Sequence, residues 1–241
     1  MSDDPRYWYP PLALPANLRI CQTQRAGEGW GFNLAGHVGA PPDQVAANRA
    51  ALCDSQPGIA QIQWLTQVHG TAVVRAPTSA DAEADAVWTT QAGVACAVMT
   101  ADCLPILLWS TDGAVIVAIH AGWRGMVAGV IEATVAALPV APGQLKGWLG
   151  PRIGPQAFEV GPEVRDAFWA VDPEAVSAFM PSARAGHFLA DLGALAVRRL
   201  SALGLTSVVD SGACTVSDEQ RWFSFRRAPR CGRMASLIWR I

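Results

Sequence analysis

The sequence predicts a layered α/β fold of the α+β type, a single domain over residues 1–241 with mixed, largely antiparallel sheets flanked by helices. Three observations carry that expectation. Runs of strand character and helix signals mix along the chain, but not in the strict alternation of a doubly wound parallel sheet. Several neighbouring runs are joined by turns too short for a crossover, which requires antiparallel pairing. The Pro and Gly punctuation is spread evenly, with no repeat or low-complexity linker to mark a boundary in a chain that is 51% apolar.

Taken in chain order, Leu18 to Gln22 reads as a strand and Asp43 to Leu52 as a helix that Asp43 could cap. Ile62 to Leu65 and Thr71 to Val74 read as the arms of a hairpin with His69 at its turn, followed by strands Ala86 to Thr89 and Val94 to Met99. Leu104 to Trp109 and Ala114 to Ile119 form the best-defined hairpin, because Ser110-Thr111-Asp112-Gly113 sets Asp-Gly between two apolar runs. A helix over Gly125 to Leu138 is stopped by Pro139, and Leu145 to Leu149 is a strand. Helices are expected at Pro162 to Val171, Pro173 to Met180 and Asp191 to Leu203, the last ending at Gly204, with strands at Ser207 to Val209 and Ser236 to Trp239.

A net charge of -2 and only 16% charged residues leave no basic field to draw nucleic acid, so the expected partner is a small molecule. The acidic start Met1-Ser2-Asp3-Asp4-Pro5 lacks the basic and apolar regions of a signal peptide, which predicts a cytoplasmic protein. Two long apolar stretches, Val94 to Trp109 and Ala114 to Trp123, are interrupted by Asp102, Pro105 and His120, and each falls short of the roughly 20 residues needed to cross a bilayer. Membrane insertion is therefore not expected, and the oligomeric state is left open. The six cysteines show no CxxC pair, and apart from Cys103 they read as reduced core thiols.

Cys103 differs because the hairpin brings it to His120. If Trp109 pairs with Ala114, Cys103 lies directly opposite His120; a two-residue loop at Asp112-Gly113 makes them diagonal neighbours, and both registers put them on one face. Such Cβ atoms sit roughly 4.5 to 8 Å apart, a gap one zinc ion can bridge with bonds of about 2.0 to 2.3 Å. Asp102, by alternation, points the other way and reads first as a structural or ligand-supporting carboxylate, with a part in the chemistry as the alternative. His69 taken alone is a turn residue, but two borderline-soft ligands need a third, and a Cys-His-His set with one open position is a catalytic zinc pattern.

The motifs Thr66-Gln67-Val68-His69-Gly70, Thr100-Ala101-Asp102-Cys103-Leu104-Pro105, His120-Ala121-Gly122-Trp123-Arg124-Gly125 and Leu149-Gly150-Pro151-Arg152-Ile153-Gly154-Pro155, with Phe158-Glu159-Val160-Gly161, resemble the YfiH-like family. That family is also called the multicopper polyphenol oxidase or laccase-domain family. The resemblance continues in Phe32-Asn33-Leu34, Gly36-His37-Val38-Gly39, Asn48-Arg49, Phe223-Ser224-Phe225-Arg226-Arg227 and Gly232-Arg233-Met234-Ala235. It implies a layered fold related to the catalytic domain of cytotoxic necrotizing factor, and one zinc per chain on His69, Cys103 and His120. It also implies purine nucleoside phosphorylase activity on adenosine, inosine and methylthioadenosine with adenosine deamination, and substrate contacts at Asn33, His37 and Arg49. A peptidoglycan-editing role attaches to some members. The chain departs from the family at Ala40, where an acidic residue is usual, and at Ala228-Pro229-Arg230-Cys231.

Laccase chemistry is disfavoured, because a type 1 copper site plus a trinuclear cluster needs more than the four histidines present. Copper remains a possible substitute for zinc at one site, since copper(II) binds such donors more tightly. The His-x-Glu and Pro-Cys-x-x-Cys signature of zinc nucleobase deaminases is absent, so deamination would need another acid or base. The planar guanidinium of Arg49 suits phosphate, though it reads equally as a solvated helix-face cation. Phe223 could stack on a purine or belong to the core; Arg124 and Gly125 could open an anion-binding helix or form a packing plug. The competing class is a cysteine hydrolase or amidase, acting on a peptidoglycan precursor, in which His120 activates Cys103. A zinc-stabilised binding module is the non-enzymatic alternative.

Overall fold

The computed structural model describes residues 4–79 and 82–241; Met1 to Asp3, read above against a signal peptide, lie outside the described residues. Two large sheets stack face to face. The first runs β1 (Tyr7–Trp8), β2 (Leu18–Thr23), β14 (Met234–Arg240), β6 (Val94–Thr100), β3 (Gln61–Gln63). The second runs β13 (Val208–Asp210), β9 (Leu145–Leu149), β7 (Leu104–Ser110), β8 (Ile116–Ala121), β5 (Ala86–Thr89), β4 (Val73–Arg75). Among the described residues the parallel pairs are β3 with β6, β4 with β5 and β9 with β13, and the other pairs are antiparallel. The mixed, largely antiparallel layering expected from the sequence is what forms.

Alternation explains why β7 reads as an unbroken apolar run. Leu107 and Trp109 point into the layer between the sheets, against Ile20, Val98 and Ile238. Ile106 and Leu108 point the opposite way, under α3 (Val130–Ala137) and α5 (Leu192–Ala202), so both faces are dry. The outer face of the first sheet is covered by α1 (Pro42–Ser55) through Leu52, which packs with Cys21, Ala97 and Leu237. Helices α2 (Trp123–Ala128) and α4 (Pro162–Val171) and a small sheet of β10 (Glu159–Val160), β12 (Phe188–Ala190) and β11 (Phe179–Pro181) complete the far layer. No helix is long and apolar enough to cross a membrane among the described residues.

Four sequence expectations are corrected. The helix over Gly125 to Leu138 starts at Trp123 and is broken by Gly129, whose φ of 98° is left-handed and ends α2 before α3 begins. The helix over Pro173 to Met180 is a short 3-10 segment, Pro173–Ala178, that runs straight into β11. Asp43 makes no capping bond, because α1 begins after Pro41 with Pro42 in its first position. The hairpin of Ile62 to Leu65 with Thr71 to Val74 does not exist: β3 lies in the first sheet and β4 in the second, so the segment carrying His69 crosses between sheets. The β7–β8 hairpin does form, with Trp109 against Ile116, the register in which Cys103 and His120 are diagonal rather than opposite.

Candidate metal centre

His120 lies in β8 and is 3% exposed, while Cys103 is the residue before β7 and partly exposed. The diagonal register puts both at the same end of the hairpin. Cys103 is preceded by Asp102, whose φ of 95° is rare for a residue with a side chain and re-aims the chain there. Asp102 borders the cavity but is not part of the metal group, and its carboxylate is taken up by neighbouring donors. It accepts hydrogen bonds from Thr215 Oγ1 at 2.5 Å, Ser224 Oγ at 3.0 Å and the Arg226 amide at 2.7 Å.

His69 arrives on the crossover, which is pinned at both ends. The Gln67 side-chain amide pairs with the Met99 backbone of β6, donating to its carbonyl at 2.8 Å and accepting from its N–H at 2.7 Å. From the next residue on, Asp85 takes over. Its carboxylate accepts from the amides of Val68, His69 and Gly70 at 3.2, 3.0 and 2.7 Å, which secures the left-handed backbone of His69 at φ 60°. The same carboxylate meets His120 Nδ1 at 2.7 Å, so one wholly buried side chain fixes the loop of one histidine and the ring of the other. The β5–β8 register places Asp85 beside His120, whose amide donates to the Asp85 carbonyl at 2.7 Å.

With Nδ1 engaged, His120 presents Nε2 to the cavity, the carboxylate–histidine arrangement common behind metal ligands. Cys103 Sγ lies 3.7 Å from His69 Nε2, the two imidazole rings are 4.7 Å apart, and the ligand atoms of His69, Cys103 and His120 all fall within 4.8 Å of one another. Tetrahedral bonds of about 2.0 to 2.3 Å separate ligand atoms by about 3.3 to 3.7 Å, so the group fits an ion with little adjustment. Gly122 leaves the room: a Cβ there would sit 2.8 Å from His69 Cδ2 and 3.1 Å from Cys103 Sγ. Gly125 does the same for the crossover, where a Cβ would approach the Gly70 carbonyl at 3.1 Å.

The electrostatics favour a charged pair. Burial alone would raise the Cys103 thiol, but His120 and then His69 outweigh it and hold it down at about 6. Burial would lower His120, yet Cys103 and Asp85 raise it to about 9. A thiolate is the form a metal needs.

The group opens on a cavity of about 410 Å³ walled by Trp123, Arg124, Phe158, Phe225, Arg226 and Arg233 among others. A neighbouring hollow of about 650 Å³ contains Arg49 and Trp64, and His37, Gln67 and Met99 border both. His37 thus faces the metal cavity, whereas Arg49 lies in the adjoining hollow, donating to the Leu34 carbonyl at 2.8 Å with its guanidinium 4.4 Å from the Trp64 ring centroid. Asn33 is wholly buried: its oxygen accepts from the amides of Ala35 and Arg233 at 3.0 and 2.8 Å, so it holds the loop of Arg233 rather than facing the cavity. Phe223 is also buried, at 2% exposure, which places it in the core and not against a ligand. Asp85 and Gln67 escaped sequence reading. The only signal for Asp85 was its place as the last carboxylate of Asp81-Ala82-Glu83-Ala84-Asp85, at the head of an apolar strand, where a metal-bound histidine could find a partner.

Comparison with known proteins bears on the family and the fold. A model described as multi-copper polyphenol oxidoreductase laccase matches residues 21–241. A Pseudomonas aeruginosa protein named purine nucleoside phosphorylase PA4543 is 49% identical over 95% of this chain and 96% of its own length. The Escherichia coli protein named purine nucleoside phosphorylase YfiH is 41% identical over 96% and 98%. The crystal structure of Neisseria meningitidis protein NMB0706 superposes with a TM-score of 0.93 at 41% identity, covering 98% of this chain and 99% of that one. YlmD from Geobacillus stearothermophilus gives 0.90 at 26%, covering 100% and 97%.

Proposed function

The chain belongs to the multi-copper polyphenol oxidoreductase laccase family, and on that premise we propose that it is a zinc-dependent purine nucleoside phosphorylase that also deaminates adenosine. The observation that carries the reading is the convergence of His69, Cys103 and His120 on one cavity, in a chain whose relatives at 41 to 49% identity bear the phosphorylase name. His69 Nε2, Cys103 Sγ and His120 Nε2 would hold the ion, which supplies Lewis acidity at its open position. The family's laccase name does not extend to this chain's chemistry: of four histidines, two belong to the metal group, His37 borders the cavity, and His187 is not among the residues lining it. Copper would act only by replacing zinc.

In phosphorolysis of adenosine, inosine or methylthioadenosine the glycosidic C–N bond breaks, a phosphate oxygen bonds to the sugar carbon, and the purine leaves. Arg49 would neutralise phosphate, and His37 would add a hydrogen bond from a neutral ring. Burial, and then the positive charges of Arg233 and Arg49, push the His37 pKa below its ordinary value and favour the neutral ring. Deamination exchanges the amino group of adenosine for a water oxygen and releases ammonia, with no second anion to hold. The whole chain would work as one domain on small molecules in the cytoplasm, consistent with the shared core between its two sheets.

A second reading is favoured by the charge state of the site. A thiol held at about 6 beside an imidazole held at about 9 is also the pairing of a metal-independent cysteine hydrolase or amidase, for which a peptidoglycan precursor would be a substrate. Metal analysis of the purified protein, with adenosine turnover measured in phosphate and in chelator, separates the two. The phosphorylase reading expects about one zinc per chain, adenine formation that needs phosphate, and loss of both activities in chelator. Arg49→Ala should slow adenine formation by a factor equivalent to about 1.5 to 3 kcal/mol and inosine formation much less. Equal losses, or adenine formation indifferent to phosphate, would sink the phosphate assignment.

A further inference from the structure

We infer that Phe225 is the platform on which the flat ring of the substrate stacks, held in place through the buried carboxylate of Asp102. That the ring is a purine rests on the phosphorylase reading; that the site takes a planar aromatic group does not. Three aromatic residues line the metal cavity. Phe158 is 8% exposed and has the Arg226 guanidinium 5.6 Å from its centroid, and Trp123 is partly buried with Arg124 4.4 Å from its ring. Phe225 also has a cation beside it, the Arg233 guanidinium 5.8 Å from its centroid, and what sets it apart is its 52% exposure in the lining of the site.

An exposed phenyl group is a poor platform if its backbone wanders, and here both neighbours are tied down. Ser224 Oγ and the Arg226 amide donate to the same Asp102 oxygen, while Thr215 Oγ1 donates to the other. Arg226 is anchored again, its guanidinium donating to the Glu159 carbonyl at 3.1 Å. Asp102 is itself the residue before Cys103. The phenyl group is therefore referenced to the metal group through one residue, which fixes where a stacked ring lies relative to the reacting bond.

The test uses the full-length zinc-loaded protein, with adenosine, adenine and a catechol as binding probes in calorimetry and adenosine as substrate for turnover. Phe225→Ala should weaken ring binding and raise the adenosine KM about 5- to 150-fold, the range for losing one base–aromatic stack. The zinc content and the phosphate KM should be little changed, and kcat should fall as the ring loses its alignment with the reacting bond. Phe225→Tyr should restore binding, and Phe225→Leu, which returns apolar bulk without a π face, should not. Unchanged adenosine binding in Phe225→Ala, or full rescue by Leu, would overturn the platform while leaving the phosphorylase reading intact. If adenosine were not turned over but the catechol bound in a Phe225-dependent way, the phosphorylase reading would fall and the platform stand. No detectable binding of any of the three probes to the parent would overturn both.

Discussion

His120 and His69 reach the same point by opposite means. His120 is part of a strand paired on both sides, is 3% exposed, and has its direction set by sheet geometry. His69 sits on a crossover between sheets, is exposed, and holds a left-handed backbone that the Asp85 carboxylate and the Gln67 amide help to secure. The strand gives rigidity without outside help, whereas the loop borrows it from one buried side chain. Asp85 is thus where the two routes meet, and the comparison can be broken there first.

Asp85→Ala should have the largest effect, because it leaves a buried imidazole unpaired and strips three loop amides of their acceptor. We expect a loss of about 3 to 5 kcal/mol in stability and at least a 10- to 100-fold fall in metal affinity, read by denaturant unfolding and by competition with a chelator. Parental metal affinity in this variant would remove Asp85 from the argument.

Comparing the two histidines directly sharpens it. His69→Ala and His120→Ala should both abolish metal retention, as should Cys103→Ala. They should part in stability: metal-free His120→Ala should lose about 1 to 3 kcal/mol by leaving Asp85 without its charged partner, and metal-free His69→Ala no more than about 0.5 kcal/mol. Equal losses in unfolding would mean the loop is as integral as the strand. Next in size, Gly122→Ala drives a Cβ against His69 and Cys103, and the loop should yield rather than the strand. A cost of about 1 to 3 kcal/mol is typical of such overpacking, and a structure of the variant should show His69 displaced with His120 in place.

The smallest effect lies away from the metal. Arg152, buried beside cavity-lining Ile153, makes two bonds of 2.7 Å to Asp210. Burial would raise the Asp210 pKa, but Arg152 outweighs it and holds it below the ordinary carboxylate value, so the folded state binds this proton less readily than the unfolded chain. The stabilisation is present above about pH 4 and is lost as pH falls through the lowered folded value. Because the carboxylate is 39% exposed, it amounts to less than about 1 kcal/mol. Asp210→Asn should flatten the acid limb of stability against pH by that amount, and an unchanged limb would show that the pair contributes nothing.

What the sequence disclosed follows the same division. The β7–β8 hairpin was legible because an Asp-Gly turn and two apolar runs are local signals, and its parity alone put Cys103 and His120 on one face. The layering was legible for a similar reason, since strands joined by turns too short for a crossover must pair antiparallel. His69 was singled out but set in the wrong structure, because nothing local distinguishes a hairpin turn from a crossover when both carry a Gly. Asp85 and Gln67 were not legible, since their importance arises from contacts with residues 16 and 32 positions away. Of the two phenylalanines in this motif the sequence singled out Phe223 for stacking, and packing shows it buried while Phe225, two positions on, is open.

That one carboxylate grips both histidines makes loop order and metal occupancy a single linked equilibrium. The amides of Val68, His69 and Gly70 report on it directly, since each is protected from solvent exchange only while it donates to Asp85. Ligation at His69 and His120 draws on the docked form alone, so metal should slow hydrogen–deuterium exchange at these three amides by the factor it adds to local closure. The interior amides of β7, already held by two neighbouring strands, should exchange only through larger openings and so mark the rest of the fold as indifferent to that occupancy.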